Sequence, residues 1–237
     1  MVVEVKRWLV KLLEEPDDFS FSLENMASRI MTTLTWDDAS LSTYSTKSAW
    51  GLLTQMSPAG PITNVLTPLW RLPLSINPWK KAEHIRHDEQ QRWWMERLQS
   101  VRTQMKTGSA RHSWMRQYLS NEKGSNLSGD YEASSVIGML ALVGVFTVAG
   151  PLHYFLISMV FHPVWLAKIQ KEIDENCKGR MPLFDDSPNL PILRACIKET
   201  MRWKPNVPTG ARHPRVVPNV MQNTDSFYRC CARSRGR

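Results

Sequence analysis

The feature that most constrains the fold is a long stretch without a charged side chain. Residues 133–161, ASSVIGMLALVGVFTVAGPLHYFLISMVF, contain no Asp, Glu, Lys or Arg. A segment of this length and apolarity can span a bilayer as one helix, and it equally suits a central helix that is buried on all sides. Pro151 and His153 interrupt its middle, and a Lys-rich amphipathic helix follows without a polar loop. We therefore predict a central buried helix, with a single membrane span as the alternative.

The rest of the chain predicts a mainly α-helical fold, because helical periods dominate and the alternation typical of strands is scarce. Residues 57–80 hold five prolines and predict a loop or short helical turns. Pro163 and Pro191 each suit the first turn of a helix that follows the central one. We expect one helical domain over residues 1–218 and a disordered, Arg-rich tail over residues 219–237.

Composition narrows the functional classes. Lys and Arg exceed Asp and Glu, 30 against 22, but no aromatic-basic module or zinc spacing accompanies this charge, so we expect no nucleic-acid partner. The N-terminal helix is interrupted by charged residues and holds no apolar run of signal-peptide length, which predicts no N-terminal anchor or signal. The cysteines form no CxxC motif, which indicates a reducing compartment; they are Cys177, Cys196, Cys230 and Cys231.

Two motifs follow the uncharged stretch in a recognisable order. The first is HPVWLAKIQKEID at residues 162–174, and the second is LPILRACIKETMRWKP at residues 190–205. Together they resemble the cytochrome P450 family of haem-thiolate monooxygenases, in particular the microsomal-type enzymes of fungal secondary metabolism. The resemblance is strongest over residues 133–213. It implies a partial cytochrome P450 fold, from the central helix to the ExxR helix, with little sheet.

The resemblance also implies a chemistry. Members of this family oxidise small lipophilic metabolites with haem, dioxygen and electrons from an NADPH-dependent cytochrome reductase, and they are cytoplasmic or associated with the endoplasmic reticulum. The substrate itself cannot be read from this sequence, because specificity in the family lies in loops that are weakly matched here.

Glu199 and Arg202 form the ExxR motif of the second segment. On spacing alone, this is an ordinary ion pair one helical turn apart on a helix surface. The resemblance instead implies a structural pair, buried beside the haem-binding core and completed by a later Arg, which locks the segment that presents the cysteine ligand. Such a buried pair persists only with good geometry and additional hydrogen bonds.

Gly144 and Thr147 match the oxygen-activation motif [AG]GxDT[TS] of the family. The resemblance implies that Gly144 lets the central helix widen over the haem and that the Thr147 hydroxyl delivers protons to bound dioxygen. A hydroxyl that bonds its own helix backbone is the alternative for Thr147. Phe146 replaces the acid of the motif and cannot relay a proton, which argues against dioxygen activation. Pro151 predicts a kink beside Thr147.

The haem ligand of the family is a cysteine in the motif FxxGxRxCxG, whose thiolate binds the iron. The nearest match here is Arg229 with Cys231, which lacks the preceding Phe and Gly and follows Arg202 too closely. We therefore do not expect Cys231 to bind iron, and we recognise no metal ligand. Arg212 or His213 matches the region that meets a haem propionate, with solvated loop residues as the alternative.

These observations lead to one preferred hypothesis and two alternatives. We expect a cytochrome P450-type chain, cut before the cysteine loop, that is catalytically inactive by itself. The first alternative is a non-catalytic helical remnant or interaction module. The second is a single-span membrane protein that crosses the bilayer through residues 133–161.

Overall fold

The computed structural model describes residues 2–56 and 60–206. No strand occurs within these ranges, so the predicted mainly α fold with little sheet is confirmed. The described residues form eight α-helices, which are α1 (Val2–Glu14), α2 (Phe19–Trp36), α3 (Ser42–Met56), α4 (Pro78–Lys106), α5 (Trp114–Ser120), α6 (Asp130–Phe161), α7 (Pro163–Cys177) and α8 (Pro191–Trp203).

Proline positions set several helix boundaries, as the sequence predicts. The proline-rich connection before α4 contains the short 3-10 helices Ile62–Asn64 and Thr67–Arg71 within its described part. Helices α4, α7 and α8 each carry a proline in the first turn, where a missing N–H costs nothing because that group has no partner inside the helix. Local backbone chemistry therefore explains where these helices begin.

Helix α6 is the centre of the structure. Helix α2 packs along it most extensively, and helices α3, α4, α5, α7 and α8 also contact it. Most of its buried residues lie on one side, the opposite side carries the exposed apolar side chains of Val136, Leu140 and Val143, and further along the helix Val148 and Leu152 are exposed as well. The prediction that this helix is buried on all sides is therefore wrong in the described structure. Within the described ranges, α6 is also the one helix long and apolar enough to cross a membrane.

A charged cluster fixes the start of α6 against α4. The Arg102 guanidinium donates hydrogen bonds of 2.6 and 2.8 Å to the two carboxylate oxygens of Asp130, and one of 2.9 Å to Glu122. The bonded Arg102 side chain holds the pKa of the Asp130 carboxyl below its ordinary value, and desolvation opposes this shift. Asp130 also lies in the first turn of α6, where a negative charge is favourable.

Candidate functional site

Gly144 lies where α6 meets α2. A Cβ atom at this position would overlap the side chain of Met31, and Met31 is buried. The missing side chain therefore permits the close approach of the two helices that form the most extensive contact in the fold. The predicted role of Gly144 in widening the helix over haem stays a prediction.

Thr147 is exposed on α6, and its hydroxyl donates a hydrogen bond of 3.1 Å to the backbone carbonyl of Val143. The hydroxyl thus bonds the backbone of its own helix, which is the alternative that the sequence left open. Phe146, at the position of the acid in the motif, packs edge-on against the Trp50 indole of α3, with 4.9 Å between the ring centroids. The position therefore contributes to helix packing, and proton delivery by Thr147 stays a prediction.

Pro151 interrupts the hydrogen-bond ladder of α6. Because proline has no N–H, the carbonyl of Thr147 loses the donor that an ordinary helix would supply. The side-chain amide of Asn206 replaces it and donates to the carbonyl oxygens of Thr147 at 3.3 Å and Phe146 at 3.4 Å. Sequence reasoning missed Asn206, although a proline inside a long helix signals that one carbonyl needs another donor.

Glu172 of the EID motif holds the beginning of α8. Its side chain is 7% exposed, and its carboxylate oxygens accept from the backbone N–H of Ile192 at 2.8 Å and of Leu193 at 2.9 Å. These donors lie in the first turn of a helix, where N–H groups have no partner inside the helix and the helix dipole favours a negative charge. Glu172 is thus an N-terminal anchor supplied by the preceding helix.

The i, i+4 spacing of Lys168 and Glu172 on α7 predicts an ion pair, and this prediction is wrong. The Lys168 ammonium instead lies over the Trp165 ring, 4.2 Å from its centroid. Glu172 points towards α8 because both of its oxygens satisfy backbone donors there. A charge-assisted bond to two buried N–H groups is stronger than a solvated ion pair.

Glu199 and Arg202 form the predicted ion pair, with Arg202 Nε donating to Glu199 Oε2 at 2.8 Å. The hydrogen-bonded guanidinium lowers the pKa of the Glu199 carboxyl. The side chains are 61% and 70% exposed, so the expected burial does not occur in the part of the chain that the structure describes. No described segment covers this face of α8. The role of the pair as a structural lock stays a prediction.

The described cysteines do not fit a haem ligand. Cys177 is buried with its sulfur 4.0 Å from Asp186 Oδ2, and burial raises the pKa of the Cys196 thiol on α8. An axial ligand is a thiolate, so both environments disfavour this role. Residues 2–56 and 60–206 also contain no cluster of His, Cys, Asp and Glu that could hold a metal ion.

Three further sequence predictions lie outside the described residues. They concern Arg212 and His213 as contacts of a haem propionate, Cys231 as an improbable iron ligand, and residues 219–237 as a disordered tail. The division of the chain at residue 218 also lies there. Each of these stays a prediction.

The described structure defines a class of helical protein by three neighbouring features. An uncharged central helix contacts both α7 and α8, a carboxylate of α7 anchors α8, and α8 presents an ExxR ion pair. The family model for Cytochrome P450 matches residues 1–225, which is most of the chain. The chain therefore belongs to the cytochrome P450 family, as the motifs predicted.

Relatives with known names agree with this assignment. Cytochrome P450 monooxygenase polD of Polytolypa hystricis is 29% identical over 224 residues, 92% of this chain and 43% of its own. Cytochrome P450 monooxygenase fogE of Aspergillus ruber is 27% identical over 227 residues, again 92% of this chain and 42% of its own. Cytochrome P450 monooxygenase iboC of Amanita muscaria is 37% identical over 117 residues, 49% of this chain and 21% of its own.

The chain spans less than half the length of these relatives. Membership of the family implies haem as the cofactor and, in general, a reductase that supplies electrons. The family implies a haem, but the described residues supply no thiolate ligand for it.

Proposed function

We propose that this chain forms the central helical part of a cytochrome P450 monooxygenase that oxidises a small lipophilic metabolite. The observation that carries the proposal is the anchoring of the ExxR helix α8 by the buried Glu172 carboxylate of α7. The same helix carries Glu199 and Arg202, which pair one turn apart on an uncovered face of its described part. The relatives support the reaction class, because they carry the name monooxygenase.

The proposal has a second part, which is that the 237-residue chain does not perform the oxidation by itself. The described cysteines are enclosed or kept as thiols, and Phe146 occupies the position of the motif acid. Among the described residues, no cysteine is suited to bind iron as a thiolate, and the Thr147 hydroxyl is bonded to its own helix. We derive no catalytic step through haem for this reason.

Carbon monoxide difference spectroscopy tests this second part. The full chain is expressed with a haem precursor, purified and reduced, and its spectrum is recorded with and without carbon monoxide. We expect no Soret band of the thiolate type. A thiolate-type band would overturn the proposal, and the Cys231→Ser variant, measured in parallel, would then report whether the sulfur of Cys231 is the source.

The partners follow from the family. Cytochrome P450 enzymes generally use redox-partner reductases, and fungal members suggest a location in the endoplasmic reticulum or the cytoplasm. For the complete enzyme we propose an NADPH-dependent cytochrome reductase and a lipophilic substrate, with no nucleic acid. A purified reductase that transfers electrons to the isolated chain would contradict the inactivity proposed for it.

A non-catalytic interaction module is the second candidate, favoured by the exposed apolar side of α6. The single-span alternative uses the same helix, but the packing of α6 against six other helices argues against it, since a lone span would contact lipid instead. Carbonate extraction of membranes separates the two. We expect release of the chain into the supernatant, and retention in the membrane pellet would favour the span.

A further inference from the structure

A groove outside the predicted oxygen-activation site opens between the end of α6, the start of α7 and the middle of α8. Its volume is about 350 Å³, which lies at the small end of the range for small-molecule sites. The walls are mainly apolar and include Met159, Trp165, Ala195 and Trp203. Both Trp rings remain partly exposed, so the groove is accessible from solvent.

The two hydroxyls on the floor of the groove are already hydrogen-bonded, and the remaining uncharged polar side chain of the lining, His162, is exposed. The hydroxyls of Ser158 and Thr200 lie 3.4 Å apart where α6 meets α8. Each hydroxyl donates to its own helix, Ser158 to the carbonyl of Phe155 at 2.8 Å and Thr200 to that of Cys196 at 2.9 Å. The floor therefore offers a ligand no free donor, because both hydroxyl hydrogens are already used, and this favours an apolar chain there.

Two lysines lie beside the Trp residues that line the groove. The Lys168 ammonium lies 4.2 Å from the centroid of the Trp165 ring, and the Lys204 ammonium lies 5.3 Å from that of Trp203. Among the described residues, neither ammonium has a carboxylate within ion-pair distance. Glu199, the carboxylate that lines the groove, is engaged by Arg202.

The groove also lies close to the charges of α7. Burial is the main cause of the raised pKa of the Cys196 thiol in the wall, and the Glu172 carboxylate adds to this rise while the Lys168 ammonium opposes it. Both oxygens of Glu172 are already bonded to the backbone of α8. Lys168 is therefore the charged group of α7 that remains free to meet a ligand at this wall.

We propose that this groove binds an amphipathic anion, a long-chain carboxylate, with its apolar chain between Trp165 and Trp203 and its head group at the Lys168 ammonium. Lys204 adds to the positive potential at the same rim. An amphipathic cation of equal chain length is repelled, and a neutral one gains the apolar contact alone. The site is independent of haem, and it goes beyond the proposed monooxygenase function.

The test uses the full chain and three soluble probes with the same alkyl chain: dodecanoate, dodecanol and dodecyltrimethylammonium. The two charged probes are titrated below the concentrations at which they form micelles and dodecanol below its solubility limit, and binding is followed by calorimetry and by tryptophan fluorescence. We expect dodecanoate to bind about tenfold more tightly than dodecyltrimethylammonium. The contact of the head group with the Lys168 ammonium is attractive for the carboxylate and repulsive for the quaternary ammonium. Equal affinity for all three probes would overturn the proposal.

Two substitutions on α7 give a matched comparison. Lys168→Glu is expected to weaken dodecanoate binding by at least about threefold and to leave dodecanol binding unchanged. Lys171→Glu is the control, because Lys171 is exposed on the same helix and pairs with Glu175 at 3.8 Å, whereas the Lys168 ammonium lies over the Trp165 ring of the groove. If the two variants bind dodecanoate alike, the assignment of the head group to Lys168 is wrong.

A third substitution, Ala195→Trp, fills the groove and is expected to abolish the binding of both dodecanoate and dodecanol. Circular dichroism and thermal melting verify that the variant is folded. Dodecanoate binding that survives in folded Ala195→Trp protein would place the ligand elsewhere and overturn the proposal, whatever the lysine variants show.

The anionic head group can belong to a free fatty acid or to an anionic lipid of a bilayer. Sedimentation with phosphatidylcholine vesicles, with and without phosphatidylserine, distinguishes the two sources. Binding to phosphatidylserine vesicles that is lost in Lys168→Glu assigns an anionic lipid to the groove. Binding of dodecanoate without sedimentation assigns a free amphiphile. Both outcomes support an amphipathic anion as the ligand.

Discussion

The side-chain amide of Asn206 donates a hydrogen bond of 3.3 Å to the backbone carbonyl of Thr147. This carbonyl is the acceptor that Pro151 leaves without a donor in the central helix. The residues just after α8 therefore complete the hydrogen bonding of α6 at the position where the motif of the family places its oxygen-activating threonine. The interruption in the central helix and the end of the ExxR helix are linked by one side chain.

A double-mutant cycle tests this link. Asn206→Ala is expected to lower the free energy of unfolding by about 0.5–1 kcal/mol, since one modest hydrogen bond is lost. In the Pro151→Ala background, the new N–H of residue 151 donates to the Thr147 carbonyl. Asn206→Ala is then expected to leave the free energy of unfolding nearly unchanged. Urea unfolding of the four proteins measures the coupling. Additive effects would show that Asn206 does not replace the missing donor.

The Glu172 anchor gives a second prediction. Glu172→Ala removes a buried acceptor from two backbone N–H groups of α8 and is expected to cost about 2 kcal/mol in the free energy of unfolding. Glu175→Ala is the matched control on the same helix. Its carboxylate is exposed and meets only Lys171 at 3.8 Å, so we expect a change within about 0.5 kcal/mol. Equal losses in the two variants would refute the anchoring role.

The exposed ExxR pair gives a third prediction. Because the Glu199 and Arg202 side chains are largely solvated, Glu199→Gln is expected to leave the thermal midpoint of the isolated chain unchanged within error. The measurement is differential scanning calorimetry beside Glu172→Ala, which serves as the destabilised reference. A loss for Glu199→Gln as large as that of the reference would mean that the pair is already a buried lock in this chain.

The contact between Asp130 and Arg102 gives a prediction about pH. The pKa of the Asp130 carboxyl is lowered in the folded chain. The charge of Asp130 therefore stabilises the fold above the ordinary pKa of an aspartate, and this contribution is lost as pH falls through the lowered pKa of the folded state. Asp130→Asn is expected to cost about 1–2 kcal/mol near pH 7, and this difference should shrink as pH falls below 3.8, the ordinary pKa of an aspartate.

Denaturant melts of Asp130→Asn and of the unsubstituted chain across this pH range measure the difference. Asp174→Asn is the control, since Asp174 is exposed and makes no ion pair among the described residues. A difference between Asp130→Asn and the unsubstituted chain that stays constant with pH would show that the Arg102 contact does not stabilise the fold through the charge of Asp130.

Local patterns in the sequence predicted much of this fold. The uncharged stretch predicted α6, the prolines at residues 163 and 191 predicted where α7 and α8 begin, and the motifs predicted the cytochrome P450 family. These features depend on residues that are close together in the chain. Helical period, the missing N–H of proline and the spacing of ExxR act over a few turns of backbone, so they can be read without a tertiary structure.

The tertiary structure decided which side chains meet. Glu172 reaches backbone groups 20 and 21 positions away, and Asn206 reaches a carbonyl 59 positions away. No local pattern encodes such a partner, because it depends on how whole helices pack. The same packing leaves one side of α6 and the pair of Glu199 and Arg202 exposed. Local sequence patterns predicted which segments form helices, whereas the burial of each helix depends on which neighbours pack against it.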